Sequence, residues 1–191
     1  MKYVNKFIRI IVWTVALVYF AAIAFTHIPA VQKRLGEELS AIVARELGTY
    51  CSIGSVNLGY LNRVIIEDVE LKDQNRQPLL KAEKMAVTPN YFDILKSKIT
   101  ITDAQLFGAD INIYKDSVDS PLNCQFVIDK LSDPNSKEPS KLNLRINTLI
   151  VRNTKLSYNL NYKPRNNSAI LDPNHIEISN LRSNIVLYEL K

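Results

Sequence analysis

Three patterns of apolar and polar positions follow one another along this chain. Residues 10 to 25 read IIVWTVALVYFAAIAF, almost unbroken in apolar character, with Lys2, Lys6 and Arg9 upstream. As a helix that run covers about 24 Å, and counting from Phe7 to Ile28 with Arg9 snorkelling gives about 33 Å, near the hydrocarbon thickness of a bilayer. The pattern predicts a single transmembrane helix. Short loops rich in Lys and Arg stay on the cytoplasmic side, so the early cations place the N-terminus inside and the bulk across the membrane. Ala22-Ile23-Ala24 also offers a cleavage pattern. The stretch is long for a signal peptide, and another helix follows at once, so a retained anchor is the expectation.

The second pattern is helical. Pro29 suits a first-turn position, and Val31, Leu35, Leu39, Ile42, Val43 and Leu47 recur at helical spacing until Gly48 supplies a stop. Gln32, Lys33, Glu37, Arg45 and Glu46 occupy the other face, so this amphipathic helix must lay its stripe on a sheet edge, a sheet interior or a membrane surface.

From Cys51 onward the period is two. Strand-like segments are Cys51–Val56, Arg63–Lys72, Leu79–Thr88, Lys98–Phe107, Ala109–Tyr114, Leu142–Val151, Leu156–Tyr162 and Ile176–Leu187. Alternation slips by one residue at Glu67-Asp68 and at Asp103-Ala104, as bulges that bend a strand would make it. Short helices are expected over Pro89–Ser97 and Pro121–Leu131, with polar loops at Ser132–Ser140 and Lys163–Pro173. The predicted fold class is mainly β with N-terminal α: one transmembrane helix, one amphipathic helix and a curved antiparallel sheet forming a hydrophobic groove. The expected organisation is 1–28 for the cytoplasmic tip and anchor, 29–48 for the amphipathic helix and 49–191 for the β-groove domain. One amphipathic and two short helices are little cover for that much apolar strand. Asn184–Lys191 stays strand-like without a terminating signal, so the chain is expected to be the N-terminal part of a longer molecule.

Composition then removes several function classes. The 191 residues carry a net charge of +5, but three of those charges sit in the N-terminal tip, which leaves no basis for a nucleic-acid partner. His27 and His175 have no partner at metal-ligand spacing, and five scattered glycines make no phosphate-cradling loop. Glu67, Asp68 and Glu70 are close in sequence, yet strand neighbours point to opposite faces and do not form a shared carboxylate site. Asn166-Asn167-Ser168 matches a glycosylation sequon as a chance match would. Cys51 falls in a strand-like run and Cys124 in a helix-like one, so two unpaired thiols are expected. No enzyme, catalytic residue, metal or cofactor is predicted.

The order of these segments resembles a family. An N-terminal helix, an amphipathic helix ending in Leu47-Gly48, Ile53-Gly54-Ser55-Val56, the run Val64 to Asp73, Pro78-Leu79-Leu80-Lys81-Ala82, a short helix ending Ile94-Leu95-Lys96, then Lys98 to Ile101 and Ala109 to Tyr114 are similar to the start of AsmA/TamB-like envelope proteins. Pro121–Leu131 and Asn174–Asn180 resemble the TamB-like branch in particular. The resemblance implies an inner-membrane protein with a periplasmic β groove, related to bridge-like lipid transfer proteins. It also implies contact with outer-membrane assembly machinery through a C-terminal part missing here.

The physical logic of such a groove is simple. Exposing a lipid tail of some fifteen methylenes to water costs on the order of 12 kcal/mol, so acyl chains need a dry path. The residues expected to line it are Ile99, Ile101, Leu106, Ile111, Ile113, Leu142, Leu144, Ile146, Leu156, Tyr158 and Leu160. The expected partners are phospholipid acyl chains and the inner membrane, and the expected function is phospholipid transport between inner and outer membranes. Two rivals remain: an assembly factor that accepts strands of outer-membrane proteins on its open sheet edge, and a membrane-tethered scaffold with a closed core.

Overall fold

The computed structural model describes residues 2–59, 63–90, 99–132, 142–166 and 171–186. The apolar run forms helix α1, Lys2–Thr26. The expected transmembrane segment is nonetheless overturned, because among the described residues no helix is long and apolar enough to cross a membrane. The helix also stops at Thr26, short of the His27 and Ile28 that the expected segment included. Instead the His27 and Ile28 amides close a turn onto Ala24 and Phe25, and Ile28 is extended (φ −74°, ψ 121°) as the residue preceding the next helix.

That next helix, α2, spans Pro29–Leu47 and ends as its sequence requires: Gly48 adopts a left-handed conformation (φ 66°) and its N–H bonds Ala44 O. Two stripes of α2 do different work. Leu39 and Val43 pack with Ala44 against the apolar core of the sheet. Gly36 and Ser40, one turn apart, face the main chain of strand β1 (Cys51–Leu58): a Cβ on Gly36 would stand 2.8 Å from Ile53 O, and Ser40 Oγ accepts the Ile53 N–H at 2.8 Å. A helix that fills the outer hydrogen-bonding side of an edge strand stops that strand from recruiting another.

Strands β2 (Val64–Lys72), β3 (Pro78–Pro89), β4 (Ile99–Lys115), β5 (Leu142–Leu160) and β6 (His175–Val186) follow β1 in one six-stranded sheet whose spatial order is the chain order. The expectation of an antiparallel sheet is corrected at one place, since β4 and β5 run parallel. The chain leaves the end of β4, passes through helix α3 (Gln125–Ser132), and begins β5 with Leu142 beside Ile99, the first residue of β4. A return of that kind makes a parallel pair, whereas the tight β2–β3 connection makes an antiparallel one. The expected helix over Pro89–Ser97 falls mostly on residues 91–98, outside the described residues, and Pro89 itself closes β3.

The expected strands Lys98–Phe107 and Ala109–Tyr114 are one long strand, β4, with Gly108 at φ 58° in its middle; Leu142–Val151 and Leu156–Tyr162 are likewise joined in β5 across Asn153 at φ 49°. Pairing explains why. One row of partners on the apolar face runs Val56, Ile66, Met85, Leu106, Val151, and the next runs Ile53, Val69, Ala82, Ala109. Between the rows each strand inserts two residues where regular alternation allows one: Gly54-Ser55, Glu67-Asp68, Glu83-Lys84, Phe107-Gly108 and Arg152-Asn153. Asp68 (φ 54°), Gly108 and Asn153 adopt the left-handed conformation there. Glycine does so without penalty, and Asp and Asn tolerate it better than other residues. The insertions therefore form one transverse crease across five strands. Each bends its strand and keeps the apolar set on the same face beyond the bend.

Candidate functional site

The strand pairings sort side chains into an apolar and a polar face. The buried core, with Ile53, Val56, Ile66, Val69, Val87 and Leu106 among its members, lies on the apolar face of β1 to β4. Small residues, Ala82, Ala109 and the fully buried Thr154 (0% exposed), follow the crease on that side. Among the described residues no second sheet lies over this face. α2 covers the β1 side, helix α3 touches both α2 and β5, and burial fades towards β6, where Ile178 and Ile185 are 38% and 40% exposed.

Of the eleven residues expected to line a groove, Leu106, Ile111, Ile113, Leu156, Tyr158 and Leu160 share the apolar face. The pairs Ile111 with Leu156, Ile113 with Tyr158 and Lys115 with Leu160 set them side by side on β4 and β5. Leu106 is buried, and the other five are half-buried. Ile101 packs against the core. The main chains of Ile99 and Ile101 pair with those of Leu142 and Leu144. The side chains of Ile99, Leu142, Leu144 and Ile146 lie outside the described residues. Helix α1 adds a second apolar surface, with Phe7, Trp13 and Leu17 each about two-thirds exposed.

The opposite face is charged and wet. Glu67 meets Lys84 at 3.1 Å, Glu70 meets Lys81 at 3.6 Å, and Glu177 meets Lys155 at 2.8 Å. The Glu177 hydrogen bond and charge raise the Lys155 pKa, and Lys155 lowers that of Glu177 by the same two effects. These pairs are exposed and contribute little to stability, but they keep that face soluble.

At the end of the sheet holding the β2–β3 turn, polar groups close in. Asp73, 1% exposed, accepts the amides of Asn75 and Gln77 at 2.8 Å on one oxygen and the Tyr114 hydroxyl at 2.6 Å on the other. Burial first, then the hydrogen bond to Asp73, pushes the Tyr114 phenol upward. Asn123 extends the knot by accepting the Tyr114 amide and donating to Asn112 O. Next to it opens a polar recess of about 720 Å³ whose walls include Asn112, Asn159, Asn161, Lys163, Arg165 and His175. Sequence reading missed it, because an Asn at the wet position of an alternating strand reads as solvated surface. The recurrence of Asn at 112, 159 and 161 is the only signal of it.

The thiols of Cys51 and Cys124 are unpaired, and burial raises the Cys51 pKa to about 11. Such a thiol is a packed apolar group at neutral pH and no nucleophile. Among the described residues, no group of three or more His, Cys, Asp or Glu is placed to hold a metal ion. No family model, curated protein or solved structure matches this chain.

Proposed function

We propose that this protein works as a lipid-handling β surface of the AsmA/TamB-like kind, which accepts phospholipid acyl chains on the apolar face of its sheet and passes them between the inner and outer membranes. The observation that carries the reading is the unequal cover of that face. Buried over most of β1 to β4, it becomes more exposed across β5 and β6, where Leu156 and Tyr158 are half-buried and Ile178 is 38% exposed, with no second sheet over it among the described residues. A tail laid there leaves water at about 0.8 kcal/mol per buried methylene, and head groups stay in solvent. Since any methylene interacts alike with any aliphatic side chain, the tail slides along such a face without a specific site to leave. The exposed apolar side chains of α1 support contact with the surface layer of the inner membrane, on its periplasmic side.

Mass spectrometry of lipids carried by the purified full chain tests this. Phospholipid is expected to co-purify, and Ile178→Glu, which changes an exposed position and leaves the buried core intact, is expected to reduce it at least fivefold. A lipid-free native protein, or an Ile178→Glu variant that retains its lipid in full, refutes the proposal.

A further inference from the structure

The polar recess lies on the face opposite the apolar one, at the end of the sheet where α2 finishes: the Gln74 side-chain amide bonds Leu47 O, and α2 separates that point from α1 by about 28 Å. We infer that this recess is a binding site for a polyhydroxylated ligand carrying one anionic group, of the class of a sugar phosphate. The inference is independent of the lipid reading, because none of the recess residues belongs to the apolar face.

The floor of the recess is built by register. Tyr114 pairs with Asn159 and Asn159 with His175, so these three residues form one row across β4, β5 and β6 at strand spacings of about 4.8 Å. Asn112 stands two residues before that row on β4 and Asn161 two residues after it, just past the end of β5, and both line the recess. A carboxamide offers one acceptor and two donors in a plane, which suits the alternating donor and acceptor needs of adjacent hydroxyls. The Asp116 carboxylate, already bonded by Asn161 Nδ2 at 2.7 Å, adds an acceptor with spare lone pairs.

The anionic end is specified by the loop that follows β5. Lys163 Nζ lies 3.2 Å from Asn174 Oδ1 and 6.0 Å from the Tyr162 ring centre, and an Arg165 guanidinium nitrogen lies 3.4 Å from Asn159 Oδ1, its charge also reaching Glu177. The nearby Glu177 is engaged by Lys155. His175 is held by Asp172 through Nδ1, leaving Nε2 as the ring's remaining polar atom. A cationic wall beside a floor made mainly of carboxamides, with the Tyr114 and His175 rings in the same row, suits a charged polyol better than a greasy ligand. The recess is open and shallow, so binding in the millimolar range is expected.

The test is a titration of the full chain, in detergent micelles, followed by amide shifts of Asn112, Asn159 and Asn161. The probes are glucose 6-phosphate, glucose, inorganic phosphate and dihexanoyl-phosphatidylglycerol below its micelle concentration. Glucose 6-phosphate is expected to shift these amides with an affinity at least fivefold above that of glucose or phosphate alone. Arg165→Gln and, separately, Asn159→Ala are each expected to weaken it at least threefold. Unchanged amides outside the recess report that each variant is folded. Equal response to glucose 6-phosphate and inorganic phosphate overturns the polyol part. Tighter binding of the short-chain lipid overturns the sugar assignment. Full affinity in both variants overturns the site.

Discussion

At the scale of single residues, the carboxylates with a defined job are those that tie loops to strands. Asp172 accepts the Asn166 and Asn174 amides and the His175 ring, each at 2.9 Å. The Asn166 amide first, then the Asn174 amide, with His175 a lesser contributor, lowers its pKa to about 2. An unfolded Asp titrates near 3.9. Because the folded value lies below the unfolded one, the stabilisation is fully present above about pH 4 and is lost as pH falls towards 2. The loop that leads into β6 is therefore expected to loosen in that window while the strands persist. The check is a titration of the Asn166 and Asn174 amide shifts, which should move together with a midpoint near 2. A midpoint near 4 would show that the hydrogen bonds do not hold in solution. Asp73 does the same kind of work in a drier place. Two of its partners, the Asn75 and Gln77 amides, are local, but the Tyr114 hydroxyl comes from 41 residues away, so no local sequence window reveals that bond.

At the scale of elements, the helix and strand assignments came from periodicity, and the joins between them did not. The apolar stripe of α2 and its Gly48 stop were legible, since both are local. Gly36 and Ser40, which seat α2 on the main chain of β1, were not, because a small residue in a helix is unremarkable until its neighbour is known. The slip at Glu67-Asp68 did announce the crease on β2, and the slip at Asp103-Ala104 fell beside the real irregularity between Ile101 and Asp103. That the insertions line up across five strands is a property of register, which the sequence of one strand does not carry. The parallel β4–β5 pair was missed for the same reason. The crease makes a clean prediction at Asn153, an exposed residue at φ 49°. Asn153→Gly should be neutral or slightly stabilising, whereas Asn153→Val, a β-branched residue forced into the left-handed region, should cost about 1–3 kcal/mol. Urea midpoints of the two variants measure this, and equal midpoints would mean that β5 is not bent there.

At the scale of the whole molecule, the two borders of the sheet are treated differently. The outer side of β1 is occupied by α2, with the Ile53 amide donated to Ser40 Oγ. Among the described residues no element packs on the outer side of β6, and its side chains are mostly exposed. A sheet closed at one border and open at the other has a direction in which its apolar face can be extended or approached, which a closed core lacks. Hydrogen exchange on the native chain reads this asymmetry directly, because amides open locally in proportion to the cover around them. The Ile53 amide, although on an edge strand, is expected to exchange at least tenfold more slowly than the amides of β6 that point away from β5. Ser40→Ala removes its acceptor, and should bring the Ile53 rate up towards that of β6 and leave the other β1 amides slow. Loaded phospholipid, if it lies on β5 and β6, should slow exchange at Leu156, Tyr158 and Ile178 without affecting Ile53. Uniform protection of β1 and β6 in the lipid-free chain would mean that the second border is covered as well as the first, and the sheet would then be a closed body with no side from which a tail enters.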